Sequence, residues 1–196
     1  QHQGPFILAV ADCTGHGVPG AMLSLLVSNS LERIYANDTE QDPATALLSL
    51  DHFVRTGLNQ DRPDSESDDG CDAIVLRIDR AKQTIEFASA KLGLFQISAD
   101  GLLTRHKGAR CSLGYQDAIP DADKPALQTI HYQPGDVFAI VTDGVTDQPG
   151  GDTGKSSYGY RRLEHILQAH CRDDASMITR AIMDDYSAWQ GDNTRR

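Results

Sequence analysis

The sequence predicts an α+β fold: an antiparallel β-sandwich flanked by helices on both sides. One strand and two helices open the chain, a run of strands of period two joined by tight turns follows, and two helices close it. Strands gathered together rather than alternating with helices separate α+β from α/β. Several strands are also continuously apolar, so they need cover on both faces, which two sheets packed face to face with helices outside would supply.

Phe6 to Ala11 (FILAVA) is an apolar run of strand length that ends at Asp12. Such a run reads as a strand buried on both faces. A glycine-rich turn follows, Cys13 to Gly20. From about Pro19 the spacing becomes helical, through Met22, Leu25, Leu26, Leu31, Ile34 and Tyr35. Asp42-Pro43 is a cap followed by a first-turn proline, and it opens a second helix with Leu47, Leu50, Phe53, Val54 and Leu58 on one stripe. Residues 61–70 (DRPDSESDDG) are acidic and without periodicity, and read as an exposed, mobile loop. Three hairpins are then expected: 74–78 with 84–89, 94–97 with 102–105, and 127–132 with 137–142 across Gln133-Pro134-Gly135-Asp136. Helices are expected over 161–171 and 175–189, with Trp189 as a packing anchor.

A chain of 196 residues reads as one domain over its whole length, 1–196. Hydrophobic content of 39% and charged content of 23% exclude wholesale disorder. The formal net charge of -10 argues against nucleic-acid backbones and anionic membranes as partners. Cys13, Cys71, Cys111 and Cys171 are widely spaced with no C-x-x-C pair, which excludes a zinc ribbon and points to free thiols in a reducing, cytoplasmic compartment, with two disulfides the alternative that no spacing supports. No apolar run approaches bilayer length. The first residue is Gln1, so an N-terminus with any anchor or sensor segment is expected upstream.

Two aspartates carry the chemistry. Asp12 ends FILAVA before C-T-G-H-G, and Asp143 ends VFAIVT before Gly144. Singly, each reads more readily as the cap of the turn after it. Together, two strand-end acids meeting in one crevice would repel unless a hard divalent cation neutralised them through oxygen ligands. Two such ions about 3.5–4 Å apart activate a hydroxide against phosphorus. Gly15 to Gly20 also matches G-x-G-x-x-G, but no parallel strand is expected to return after the helix, so dinucleotide binding is the weaker reading. His16 could touch substrate or a bound water, though local packing is favoured. Cys13 lacks a histidine partner and a C-x5-R loop, so its backbone carbonyl matters more than its thiol.

A-D-C-T-G-H-G-V-P-G-A-M-L-S (11–24), D-D-G-C-D (68–72), Q-P-G-D-V-F-A-I-V-T-D-G-V-T-D-Q (133–148) and K-S-S-Y-G-Y-R-R-L (155–163) resemble the motifs of PPM-type, metal-dependent protein phosphatases in their bacterial SpoIIE/RsbU branch. The resemblance implies a sandwich with a two-metal centre of Mn2+ or Mg2+. In it Asp12 would bridge both metals, Cys13 would lend its carbonyl oxygen, and Asp143 would bind the second metal. Asp72 is a weaker candidate. The family's G-G-D strand should precede Phe6 and its D-D motif should follow the last helix, so the domain is expected to be truncated at both ends. Asp192-Asn193 resembles the D-N of other PPM enzymes but follows the helix too closely, which places the expected ligand beyond Arg196. The implied activity is hydrolysis of phosphoserine or phosphothreonine on a protein partner, typically a STAS-domain protein, under an upstream sensor domain, with a homodimer allowed. The alternative is a catalytically inactive phosphoprotein-binding module of the same fold.

Overall fold

FILAVADC forms strand β1 (Phe6–Cys13), and its antiparallel neighbour is β2 (Cys71–Asp79). Next in the sheet are β3 (Thr84–Ala90) and then β6 (Gln128–His131), giving the order β1-β2-β3-β6. The computed structural model describes residues 4–36, 40–151, 154 and 156–193, and they fall into two compact units. This four-stranded sheet belongs to the first unit, Gln1–Leu92 with Lys107–Tyr132. Lys155, part of the last motif, lies outside the described residues.

Helices α1 (Gly17–Ala36) and α2 (Pro43–Gly57) cover one face of that sheet. Leu23, Val27, Leu47, Leu50 and Val54 pack there on Ala73, Val75, Ala88 and Ala90, with Ile7, Ala9, Ala11 and Cys13 of β1 at the margin. On the opposite face Ile74, Leu76, Ile85 and Phe87 are also buried. Because side chains alternate along a strand, burial on both faces makes these strands continuously apolar. The first strand is the exception to its expected burial: Phe6 and Leu8 remain 40% and 44% exposed. It is an edge strand of the sheet, with a neighbour on one side only among the described residues.

The caps behave as their chemistry requires. The Asp42 carboxylate accepts from the Ala44 and Thr45 backbone N–H groups, and Pro43 starts α2. Asp79 accepts from the Ala81 and Lys82 N–H groups and turns β2 into β3. The acidic segment before β2 is less free than expected. Its far half is anchored, since the buried Gln60 side chain holds Ser67 and both backbone groups of Asp69.

The second unit comprises Gly93–His106 and Gln133–Arg196. Strand β4 (Leu94–Ile97) lies between β5 (Leu103–His106) and β7 (Val137–Ile140), all antiparallel. A single helical turn, α3 (Asp143–Thr146), and a two-residue ladder of β8 (Pro149–Gly150) with β9 (Ser156–Ser157) lead into α4 (Gly159–Ala169) and α5 (Ala175–Gln190). Phe95, Ile97, Tyr158, Leu163, Leu167, Ile178 and Tyr186 form its core.

Two of the three expected hairpins form. The third does not: β6 pairs with β3 and β7 pairs with β4, so the runs flanking Gln133–Asp136 enter different sheets. The turn itself closes, with Asp136 N–H donating to Gln133 C=O at 3.0 Å. The Asp136 carboxylate then accepts from Ala99 N–H and Gln96 Nε2, which ties the turn to the β4–β5 hairpin and sends β7 along β4. Every strand pair in both units is antiparallel. β2 returns antiparallel to β1 after two helices, which removes the βαβ unit that dinucleotide binding needs. Among the described residues no helix is long and apolar enough to cross a membrane.

Candidate functional site

The end of β1 is set by its register on β2, which aligns Asp12 with Asp72 and Cys13 with Cys71. Backbone hydrogen bonds show which step is which. Cys71 N–H and C=O both bond to Leu113 at 2.9 Å, on the side of β2 away from β1. Cys13↔Cys71 is therefore a non-hydrogen-bonded step, and the strands bond to each other at Asp12↔Asp72. Consistently, Thr14 N–H donates to Gly70 C=O two residues further on. The Cys13 carbonyl consequently points away from β2, toward the outer edge of β1.

Alternation places Asp12 and Asp72 on the face opposite α1 and α2, and Cys13 and Cys71 on the helix face. Two carboxylates directly across a ladder repel each other. The Asp72 charge is offset by Ser112 Oγ, which donates at 2.6 Å, and by Lys91 Nζ at 3.6 Å. The thiols interact on the other side. Their hydrogen bond pulls Cys13 down to about 7 against the upward push of its burial, with help from Ser24. The same bond and burial push the Cys71 thiol up.

The strand end is braced from behind. Thr14 Oγ1 donates to Asp69 Oδ1 and accepts from Gly70 N–H, each at 3.0 Å. Gln60 in turn holds the Asp69 backbone and the Gly114 carbonyl. In the glycine turn, Gly15 and Gly17 take φ of +84° and +68°, a region open to glycine. A Cβ on Gly20 would lie 2.8 Å from the Gly15 carbonyl oxygen, so the turn folds directly onto the start of α1. His16 is exposed there.

Asp143 lies in the second unit. Strand β7 stops at Ile140, and Asp143, which is exposed, opens α3 instead of ending the strand. Its carbonyl accepts from Asp147 N–H at 2.7 Å. The turn is held by Gln148, which is fully buried. Tyr186 Oη donates to Gln148 Oε1 at 2.9 Å and Trp189 Nε1 donates to its carbonyl at 3.1 Å. Trp189 is thus the packing anchor expected of it, with Arg162 stacked on its ring at 4.7 Å. Asp192 is exposed, and Asn193 folds back to donate to the Gln190 carbonyl.

The described residues therefore bring Asp12 and Cys13 together with Asp72 at one strand end of the first unit, and place Asp143 on a braced turn of the second unit. Among the described residues, no three His, Cys, Asp or Glu side chains gather into a group able to hold a metal. The donors that β1 does offer, a carboxylate and an outward-pointing carbonyl, are both oxygen. Oxygen donors fit Mg2+ or Mn2+ rather than a thiophilic metal, and the Cys13 sulfur is turned to the opposite face. Sequence reasoning missed the two glutamines. Gln148 stood in the D-Q pair of its motif, whereas Gln60 carried no local signal.

The α+β fold of antiparallel sheets and helices matches that of PPM-type serine/threonine phosphatases among solved structures. The model of the family described as Stage II sporulation protein E (SpoIIE) matches residues 2–195, and the chain belongs to that family. Among solved structures, it is similar to the SiaA-PP2C domain of Pseudomonas aeruginosa, with 28% identity and a TM-score of 0.84, over 100% of this chain and 73% of that one. The PP2C phosphatase domain of SpoIIE from Bacillus subtilis shares the fold at 12% identity and a TM-score of 0.65, over 94% of this chain and 50% of that one. The Mycobacterium tuberculosis serine/threonine phosphatase PstP/Ppp does so at 16% and 0.59, over 93% and 84%. No curated protein matches the sequence.

Proposed function

We infer that this chain is a Mn2+- or Mg2+-dependent phosphatase that hydrolyses phosphoserine or phosphothreonine on a partner protein. The observation that carries the reading is the end of β1, where a carboxylate and an outward carbonyl stand side by side in a family of phosphatases. Asp12, the Cys13 carbonyl and Asp143 would hold the ions. Bound divalent cations of this kind offset charge on phosphoryl oxygens and make water a better nucleophile. The chain's own part is positioning. The Thr14–Asp69–Gln60 network fixes the Asp12 strand end, and the Gln148–Tyr186–Trp189 network fixes the Asp143 turn. Asp72, with Ser112 donating to it and Lys91 beside it, stands across the ladder from Asp12 at that corner. The Cys13 thiol faces the helices, so it is no nucleophile for a phosphate on the Asp12 face, and attack by water needs no phosphoenzyme.

The partner follows from the motif resemblance to the SpoIIE/RsbU branch: a phosphorylated STAS-type protein in a cytoplasmic partner-switching circuit, with a sensor domain upstream. The test is Mn2+-dependent phosphate release from a phosphoserine protein or peptide. Asp12→Asn and Asp143→Asn should each lower turnover by orders of magnitude while the circular dichroism spectrum is unchanged. Near-normal turnover in either variant would refute the assignment.

A further inference from the structure

The phosphatase reading leaves one reactive pair unused. Cys13 and Cys71 face each other across the β1–β2 ladder on the helix side of the sheet, away from the Asp12 carboxylate. Both backbone groups of Cys71 are committed to Leu113, which makes this a non-hydrogen-bonded step, where side chains come closest. Cα atoms in such a step are about 4.5 Å apart, inside the roughly 4.4–6.8 Å that a disulfide spans. Both side chains leave the ladder on the same, helix-covered face. They also differ in access: Cys13 is half-buried, while Cys71 is 1% exposed.

We propose that Cys13 and Cys71 are a modification site, a peroxide-closed, reversible disulfide across the β1–β2 ladder. The Cys13 sulfur attacks one oxygen of hydrogen peroxide, the O–O bond breaks, and water leaves, giving a sulfenic acid on Cys13. The Cys71 sulfur attacks the Cys13 sulfur, the S–O bond breaks, and a second water leaves. Two thiols are oxidised and one peroxide is reduced to two waters. A small thiol reductant restores the pair by exchange. The geometry gives this chemistry a use. Cys13 adjoins Asp12, and its sulfenic acid would otherwise proceed to the irreversible sulfinic acid beside the candidate metal ligand. A resolving thiol directly across the ladder captures it first. The bond pins the two strand ends in the register they already hold.

The experiment is a hydrogen peroxide titration of the protein, followed by alkylation of free thiols and peptide mass mapping. Cys111 and Cys171, the other free cysteines, lie in no strand and serve as internal controls. The expected result is a 13–71 cross-link with loss of two hydrogens, formed before Cys111 or Cys171 is modified and reversed by dithiothreitol. The oxidised form should melt several degrees above the reduced one, because the closed loop runs from residue 13 to residue 71. In Cys71→Ala or Cys71→Ser, Cys13 should react with dimedone and proceed to the sulfinic acid. Accumulation of sulfinic acid on Cys13 in the unsubstituted protein would overturn the proposal. So would a pair that stays alkylatable at peroxide doses that oxidise the controls, or a cross-linked form that melts lower. None of these readouts depends on phosphatase activity.

Discussion

Replacing Gln60 by methionine tests whether the strand end bearing Asp12 is held from behind. Gln60 is 2% exposed, and its amide is fully used. Nε2 donates to the Asp69 carbonyl at 2.8 Å and to the Gly114 carbonyl, while Oε1 accepts from Ser67 Oγ at 3.0 Å and Asp69 N–H at 2.7 Å. Methionine keeps the length and most of the volume, so little of the effect comes from a cavity. Each lost bond removes about 1 kcal/mol net, and the Gly114 carbonyl, with its partner gone in a buried setting, adds about 1–2 kcal/mol. The other partners sit nearer solvent and recover bonds to water. Returning roughly 1 kcal/mol for the apolar side chain leaves a destabilisation of about 4–5 kcal/mol. For a chain of this size that is a fall in melting temperature of roughly 8–20 °C. Thermal and urea unfolding of Gln60→Met measure it directly, and hydrogen exchange should quicken over residues 67–70. A loss below about 1 kcal/mol would show that the four bonds merely replace water, and that the network does not hold the strand end.

Three further outcomes are expected. Gly70→Ala should cost roughly 3 kcal/mol or more in urea unfolding. Its Cβ would lie 2.2 Å from the Leu113 carbonyl oxygen and 2.4 Å from the Tyr115 ring, and a near-neutral result would refute that close approach. Asp42→Ala should cost about 1 kcal/mol, since it frees the two N–H groups at the start of α2, and an Asp42→Asn variant should recover most of it. Asp185 accepts from Arg162 twice and from Tyr158 Oη, each at 2.7 Å. The Arg162 bond holds its carboxyl below the usual range, although burial opposes the shift. The unfolded chain therefore binds more protons near its own carboxyl pKa, so this stability is complete above about pH 4 and lost as pH falls through the folded value. Asp185→Asn should cost about 1–2 kcal/mol at pH 7, discounted because Arg162 is partly exposed, and progressively less below about pH 4. An equal cost at pH 7 and pH 3 would rule the linkage out.

Much of this architecture was legible one residue at a time, because the forces involved are local. Asp42-Pro43 opens a helix wherever it stands, since a short carboxylate beside a proline satisfies the first free N–H groups. The alternation in 74–78 and 84–89 specifies a hairpin because the Asp79 turn leaves the chain little choice. The candidate ligands Asp12 and Cys13 were visible for the same reason: they are neighbours at the end of one apolar run. Asp143 reads as the end of its strand, yet it lies three residues past that end and opens a helical turn. VFAIVT is apolar enough to read as a strand to its end, but pairing with β4 stops at Ile140 and the remaining residues lead into a helical turn.

Local chemistry could not settle anything that depends on which partner a strand takes. Gln133-Pro134-Gly135-Asp136 makes the same turn whether its flanking strands pair together or part, and it was a long-range pair of hydrogen bonds from Gln96 and Ala99 to Asp136 that parted them. The contact of Asp12 with Asp72, the facing of Cys13 and Cys71, and the brace of Gln60 on Asp69 and Gly114 all depend on register and on residues brought together from distant parts of the chain. A period of two says which face a side chain takes, never what stands across from it. That is decided only when the backbone groups of β2 choose their partners, as Cys71 does with Leu113, and the ladder locks every later step into place.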